Sequence, residues 1–231
     1  METAEQQTIA VQEEAEGWNP EQVLRWGLTR FGKSVAIASS FGAEDVVLID
    51  AASRLGLPFR VFTLDTDFLF PETYALIEKI EKVYGITVER TKSEFTPEAQ
   101  AAQFGEALWA SQPDQCCQLR KVEPLKKYLA GLQAWVTGVR RDQAPTRANT
   151  RKIEWDAKFN LVKLNPLADW NSERVWDYIR DHGVPYNLLH DQNYPSIGCT
   201  YCTRAVQPGE DARAGRWSGF NKIECGLHLK K

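Results

Sequence analysis

The residues with the most chemistry in this 231-residue chain are its five cysteines, Cys116, Cys117, Cys199, Cys202 and Cys225. Five is odd, so full disulfide pairing within one chain is impossible. Four form two tight pairs, an adjacent Cys-Cys and a Cys-Thr-Tyr-Cys, and the fifth stands alone near the C-terminus. A C-x-x-C spacing lets both sulfurs reach one metal. Adjacent cysteines serve a single tetrahedral ion poorly because their side chains diverge, but they reach two irons of a cube with less strain. The two pairs together therefore favour a [4Fe–4S] cluster over structural zinc. A thioredoxin-like dithiol would use the C-x-x-C and leave Cys116-Cys117 unexplained; four inert buried thiols are the third reading.

Cys225 lies in Glu224-Cys225-Gly226-Leu227-His228, with Lys222 before it and Lys230 and Lys231 after it. Nearby cations depress a thiol's pKa and raise its thiolate fraction. That suits a nucleophile; the plain alternative is an incidental free thiol. Two other segments suit an anion. In Ser39-Ser40-Phe41-Gly42-Ala43-Glu44-Asp45, backbone N–H groups at a helix start make an anion site, and Gly42 admits a phosphate closely. The Gly-Lys-Ser/Thr ending of a Walker A loop is missing, and an ordinary β–α turn is the plain alternative. The stretch 138–147 carries Arg140, Arg141 and Arg147, whose forks match phosphate and sulfate oxygens; otherwise it is a solvated charged loop.

These segments need elements to hold them. Asn19-Pro20 reads as an N-cap with proline at the first helical position, opening a helix to about Phe31. Buried strands are expected at 34–38, 58–64, 86–90 and 134–137. Helices are expected from the 39–45 loop to near Gly56, then at 71–85, 97–109 and 119–132. This alternation predicts an α/β fold, a parallel sheet with helices on both faces. Ligands in such folds sit at the carboxyl ends of strands, so the loops after Ala38, Leu64 and Thr137 should line one site. That makes Ser39, Ser40, Phe41, Gly42, Asp65, Arg140 and Arg141 candidate substrate contacts. Beyond 138 the pattern loosens, with a strand at 161–164, a helix at 173–182 and looped chain from Pro185. Residues 1–17 read as a frayed lead-in, 18–212 as the nucleotide- and cluster-binding domain, and 213–231 as a mobile catalytic tail.

Composition bounds the function. With 43% hydrophobic and 26% charged residues the chain has material for a core and is not dominated by disorder. No apolar run approaches the roughly 18 residues of a membrane span. A net charge of −3, from 28 basic and 31 acidic residues, argues against non-specific nucleic-acid binding. The acidic, Gln-rich start does not look like a signal peptide, so a cytoplasmic, reducing location is expected, where structural disulfides are rare.

Seven stretches together resemble one family, the thioredoxin-dependent adenylyl-sulfate (APS) reductases, relatives of the phosphoadenylyl-sulfate (PAPS) reductases. They are 39–45 (SSFGAED), 64–74 (LDTDFLFPETY), 116–125 (CCQLRKVEPL), 138–147 (GVRRDQAPTR), 165–170 (NPLADW), 194–205 (YPSIGCTYCTRA) and 224–228 (ECGLH). The resemblance implies an adenine nucleotide alpha hydrolase-like fold and reduction of APS to sulfite and AMP in sulfate assimilation, through a cysteine S-sulfonate. It implies Cys225 as nucleophile and Cys116, Cys117, Cys199 and Cys202 as [4Fe–4S] ligands. Lys121 is implied between cluster and substrate, with Arg213, Arg216 and His228 on the phosphosulfate. The implied partner is thioredoxin or a glutaredoxin-like donor, and a homo-oligomer is plausible. The four cluster cysteines characterise the APS-using branch; PAPS or dual specificity is the alternative. An ATP pyrophosphatase-like sulfur-insertion enzyme would show Ser-Gly-Gly-x-Asp-Ser in the first loop. A non-catalytic metal-bound redox sensor would need neither Cys225 nor the arginines.

Overall fold

The computed structural model describes residues 4–220, 222, 226 and 227. Its frame is one six-stranded sheet in the order β3-β2-β1-β4-β6-β5. The strands are β1 (Val35–Ala38), β2 (Val61–Asp65), β3 (Val88–Lys92), β4 (Ala134–Val136), β5 (Ile153–Asp156) and β6 (Leu161–Leu164). β1 pairs in parallel with β2 and β4, β2 with β3, and β4 with β6. The sheet is mixed rather than wholly parallel, because β5 runs antiparallel to β6 at the edge. β5 escapes a sequence reading because its Glu154 is charged, yet Glu154 is buried beside the equally buried Lys163 of β6 at 3.5 Å.

The period-two alternation of the strands sorts the core onto two faces. Val35 and Ile37, Val61, and Ala134 and Val136 join one cluster, with Val23, Leu24 and Leu28 of α2 (Pro20–Phe31), Val46–Ile49 of α3 (Ala43–Arg54), Ile77 of α4 (Pro71–Tyr84) and Ile179 of α9 (Ser172–His182). Ala36, Phe62 and Trp135 face the other way, onto Leu125 and Leu129 of α8 (Glu123–Leu129). Asn19 caps α2 as expected, its side chain accepting the Gln22 N–H at 2.9 Å.

Three expectations are corrected. Residues within the 1–17 lead-in form α1 (Ala4–Ala15), which buries Thr8 and Ala15 and packs along β5. The helix expected at 97–109 is divided into α5 (Pro97–Phe104) and α6 (Leu108–Ser111), with Gly105 at φ +89° ending the first. The helix expected at 119–132 begins as α7 (Pro113–Cys117), widens to a π-turn over Gln118–Val122, and continues as α8. Pro124 explains the π-turn: it has no N–H to return to the Arg120 carbonyl and its ring would crowd that carbonyl, so the Glu123 N–H bonds back to Gln118 instead.

The outer half of the sheet is pinned by Asn165, which is fully buried. Its side chain accepts from the Thr137 hydroxyl and donates to the Arg151 carbonyl at 2.8 Å and to Glu154 at 3.2 Å. Asn165→Ala orphans these groups in the interior. We expect it to lower the unfolding free energy by about 2–3 kcal/mol, read as a fall in the urea midpoint with unchanged slope.

Candidate active site

The strand order reverses at β1, so β1 and β4 end side by side while their loops part, and a crevice must open there. A cleft of about 410 Å³ occupies this position. Its walls come from the β1–α3 turn, the end of β2, the chain after β4, and residues 195–198 and 211–217. The β1–α3 turn is held from within. Asp45 accepts from the Ser40 N–H at 2.6 Å and the Ser40 hydroxyl at 2.8 Å, and Ser39 Oγ accepts from the Phe41 N–H at 3.1 Å. Phe41 takes φ +60°, a conformation that costs a side-chain-bearing residue about 1–2 kcal/mol, and its fully buried ring offsets that cost. Ser39, Ser40 and Gly42 line the cleft, whereas the Phe41 side chain belongs to the core.

Gly138 is where β4 meets this turn. A Cβ there would lie 2.5 Å from Asp45 Oδ1 and 2.8 Å from Glu44 Cβ. The approach lets Glu44 pair with Arg140 Nε at 2.9 Å and accept from Gln143 at 3.0 Å. Burial, reinforced by the Glu44 charge, pushes the Asp45 carboxyl up to about 6.

Five cations from three segments line the cleft: Lys121 of the π-turn, Arg140 and Arg147 of the loop after β4, and Arg213 and Arg216 of 211–217. Arg216 donates to Ser196 Oγ at 3.2 Å and the Ile197 carbonyl at 3.1 Å, and lies over the Trp217 ring at 4.5 Å. Two expected contacts face elsewhere. Arg141 turns out of the cleft toward Glu16 and the Thr150 carbonyl. Asp65 accepts from the Tyr74 hydroxyl at 2.7 Å and pairs with Lys92 at 3.3 Å, and is not among the residues lining the cleft. Asp45, Glu44 and His190 line the cleft unforeseen. Glu44 and Asp45 could have been found from their place in the first helical turn, whereas His190 carries no local signal. Burial holds the His190 imidazole below its ordinary pKa.

Cys116, Cys117, Cys199 and Cys202 come together as free thiols beside this cleft. α7 brings the first pair. The second is brought by the bridge between Leu69 and Cys199, and Thr66 Oγ1 lies 3.3 Å from Cys199 Sγ. Trp109 of α6 stacks on Tyr201 at 3.9 Å, clamping the two cysteine-bearing segments. Burial and then the other cysteines push the Cys116 thiol up to about 12 and the Cys202 thiol up to about 11. Arg120 opposes the shift at Cys116, and Lys121 and Arg216 oppose it at Cys202. Among the described residues no three such donors are set for a single metal ion. Four thiols that act on one another, with Arg120, Lys121 and Arg216 acting on them in turn, are sulfur donors of the kind a multi-iron cluster would use, with cations to balance its charge.

Part of the tail is seated here. Trp217 is buried and donates its backbone N–H to the Cys202 carbonyl at 3.0 Å, and Lys222 Nζ reaches Asp114 of α7 at 2.5 Å. Leu227 lines the cleft, and Lys158 donates to the Gly226 carbonyl. Cys225 and His228 lie outside the described residues, as do 221, 223, 224 and 229–231 of the expected mobile tail.

A family model described as the phosphoadenosine phosphosulfate reductase domain matches residues 34–205. The chain belongs to this family. Adenosine 5'-phosphosulfate reductase of Shouchella clausii (strain KSM-K16) is 50% identical over 207 residues, 89% of this chain and 86% of that protein. Adenosine 5'-phosphosulfate reductase 2 of Bacillus subtilis (strain 168) is 47% identical, over 89% of this chain and 88% of that one. The phosphate complex of phosphoadenylyl-sulfate (PAPS) reductase from Candida auris is 30% identical with a TM-score of 0.77, covering 89% of this chain and 99% of that one. FMN adenylyltransferase of Candida glabrata shares the fold at 16% identity, TM-score 0.57, over 87% of this chain and 66% of that one. For this phosphosulfate reductase family member the adenine nucleotide alpha hydrolase-like α/β fold is thus established.

Two expectations follow from the geometry. Gly138→Ala displaces Glu44 and Asp45, and should weaken AMP binding about tenfold or more in calorimetry, the scale of one lost charge-assisted contact. Asp45 binds its proton more tightly folded than unfolded, so its contribution is greatest below the ordinary carboxylate pKa and fades as pH rises to about 6. Asp45→Asn should flatten that decline in urea midpoints measured across this window.

Proposed function

We propose that this chain reduces adenosine 5'-phosphosulfate to sulfite and AMP, with Cys225 as nucleophile. The observation that carries the reading is the convergence of five cations from three segments on the switch-point cleft that Leu227 also lines. The two bacterial reductases at 47–50% identity support APS as the substrate. The Candida auris relative at 30% identity supports PAPS, or both nucleotides, as the second reading.

The reaction needs a thiolate to approach a sulfur already surrounded by negative oxygens. Lys121, Arg213 and Arg216 offset that repulsion, and Arg140 and Arg147 stabilise charge moving onto the departing phosphate. The Cys225 thiolate attacks the sulfur, the bond between sulfur and the bridging oxygen breaks, and AMP leaves with the electron pair. Cys225 then carries an S-sulfonate. A thiolate of a thioredoxin-like dithiol attacks the Cys225 sulfur and sulfite departs. The second thiol closes the partner's disulfide and regenerates Cys225, so the partner supplies both electrons. His228 joins the cations around the phosphosulfate.

Cys116, Cys117, Cys199 and Cys202 would hold a [4Fe–4S] cluster. When bound, it supplies a fixed charge that shapes the field beside the cleft. Lys121 and Arg216 line the cleft and also act electrostatically on Cys202, so they are the residues that relate the two. Free thiols and a dithiol reductant suit a cytoplasmic setting. No helix among the described residues is long and apolar enough to cross a membrane.

The test is sulfite release by anaerobically purified protein with reduced thioredoxin, from APS and from PAPS. APS should be the better substrate; sulfite from PAPS alone would overturn the assignment. Cys225→Ser should lower sulfite release by about 10³-fold or more while iron and acid-labile sulfide stay near four each. Cys116→Ser should lose iron. Sulfite release by Cys225→Ser at the wild-type rate would sink the nucleophile.

A further inference from the structure

The arginine loop after β4 is tied down on the side away from the cleft. Arg141 donates its N–H to the Ala168 carbonyl at 2.9 Å and its Nε to the Thr150 carbonyl at 2.8 Å. Its Nη2 reaches the carboxylate of Glu16, directly after α1. The other Glu16 oxygen accepts the Lys152 N–H at 3.0 Å, just before β5, and Lys152 Nζ returns to the Glu16 carbonyl at 3.0 Å. One carboxylate thus joins the arginine loop, the edge hairpin and the N-terminal helix. We propose that Glu16 is a positioning residue for the substrate cleft, acting through Arg141 to hold Arg140 in place. The proposal rests on the reading of the cleft as a phosphosulfate site.

The turn itself explains why an outside tie is needed. The Arg140 N–H is held by Gln143 Oε1 at 3.0 Å, within the same turn, and Arg147 also bonds to Gln143. These contacts shape the turn, and Gln143 reaches out of it only to Glu44, the carboxylate that Arg140 also uses. Arg140 has a tie in Glu44, but a bound anion competes with Glu44 for the same guanidinium. The Ala168 carbonyl and Glu16 do not face the cleft, so their hold persists with substrate bound. This also gives the 165–170 stretch a role. Ala168 anchors Arg141, the Trp170 carbonyl accepts from Arg140 at 3.4 Å, and Asp169 pairs with Lys152 at 2.8 Å. Losing the Glu16 tie leaves a looser loop that substrate must order on binding, which raises KM and spares the step at sulfur.

The neighbouring pair of Glu13 with Arg151 is the internal control. Glu13 lies in the last turn of α1, three residues before Glu16, but its carboxylate is 81% exposed and it does not touch the loop. The experiment measures KM and kcat for sulfite release from APS, AMP affinity and melting temperature for wild type, Glu16→Ala, Glu16→Gln and Glu13→Ala. Glu16→Ala should raise KM and the AMP Kd about tenfold, as for one charge-assisted contact, with kcat within about twofold. Glu16→Gln keeps one acceptor oxygen and should fall between, and Glu13→Ala should match wild type. KM and Kd within about twofold of wild type in both Glu16 variants would overturn the proposal. So would a lower melting temperature with unchanged AMP affinity. If wild type binds AMP but releases no sulfite, the functional reading fails alone, and the AMP series still decides the role of Glu16.

Discussion

Everything in the cleft depends on how closely the end of β4 approaches the start of α3. The sheet brings β1 and β4 together, and their loops then diverge. They touch again at Gly138, where even a Cβ would fall 2.5 Å from Asp45. That contact admits the Glu44–Arg140 pair at 2.9 Å and sets where the arginine loop begins. It also places two carboxyl groups at a helix N-terminus, the end that favours negative charge. Glu44 is matched by Arg140, and Asp45 is held by Ser40. The turn therefore supplies its own anion to its own helix end. The positive character of the cleft comes instead from side chains delivered by later segments.

The parts of the fold that were legible in the sequence are those whose signals are local. β1 to β4, β6, α2, α3, α4 and α9 follow from apolar runs, caps and strand-ending residues within a few positions. The cysteine pairs and arginine segments could be read in the same way. The missed features depend on partners far along the chain. α1 looked like solvated lead-in because its anchoring residue, Glu16, finds Arg141 125 positions away. β5 carries the charged Glu154, which Lys163 answers only once the hairpin has closed. Arg141 and Arg140 are indistinguishable as neighbours in sequence, but Arg140 is extended and Arg141 opens a 3₁₀ turn, and one side chain enters the cleft while the other lies behind it. Asp65 was placed correctly at the end of β2, but the residues lining the cleft there are Leu64 and Thr66.

The thiol centre and the cleft share parts. The β2 end contributes Thr66 to the cleft lining and to Cys199 at 3.3 Å. The π-turn follows Cys117 directly and carries both Arg120 and Lys121. Arg120 is buried and bonds to the Thr66 carbonyl at 2.9 Å and to Asp67 at 3.0 Å. Lys121 lines the cleft. Two adjacent cations thus leave the helix in different directions, one into the interior and one toward the substrate. A regular α-turn would rotate them by about 100° per residue, and the wider π-turn alters that relation. Pro124 is then a residue with consequence for the site, because it excludes the regular turn.

A chain of net charge −3 has no general attraction for an anionic nucleotide, so attraction must be local. A crevice with low-dielectric walls focuses the field of the few cations inside it. The Candida glabrata adenylyltransferase, at TM-score 0.57 and 16% identity, shows that the sheet can be shared without shared side chains. Chemistry is then decided by the segments laid over the strand ends. Here the last of these is 211–217, with Arg213, Arg216 and the buried Trp217. Trp217 is fixed to Cys202 by its backbone, and Arg216 lies against Gly198, where a Cβ would meet Nη2 at 2.4 Å. The position of Arg216 is consequently set by the cysteine segment rather than by the sheet. A substrate site completed in this way depends on the thiol centre being assembled, whichever electrons the reaction uses.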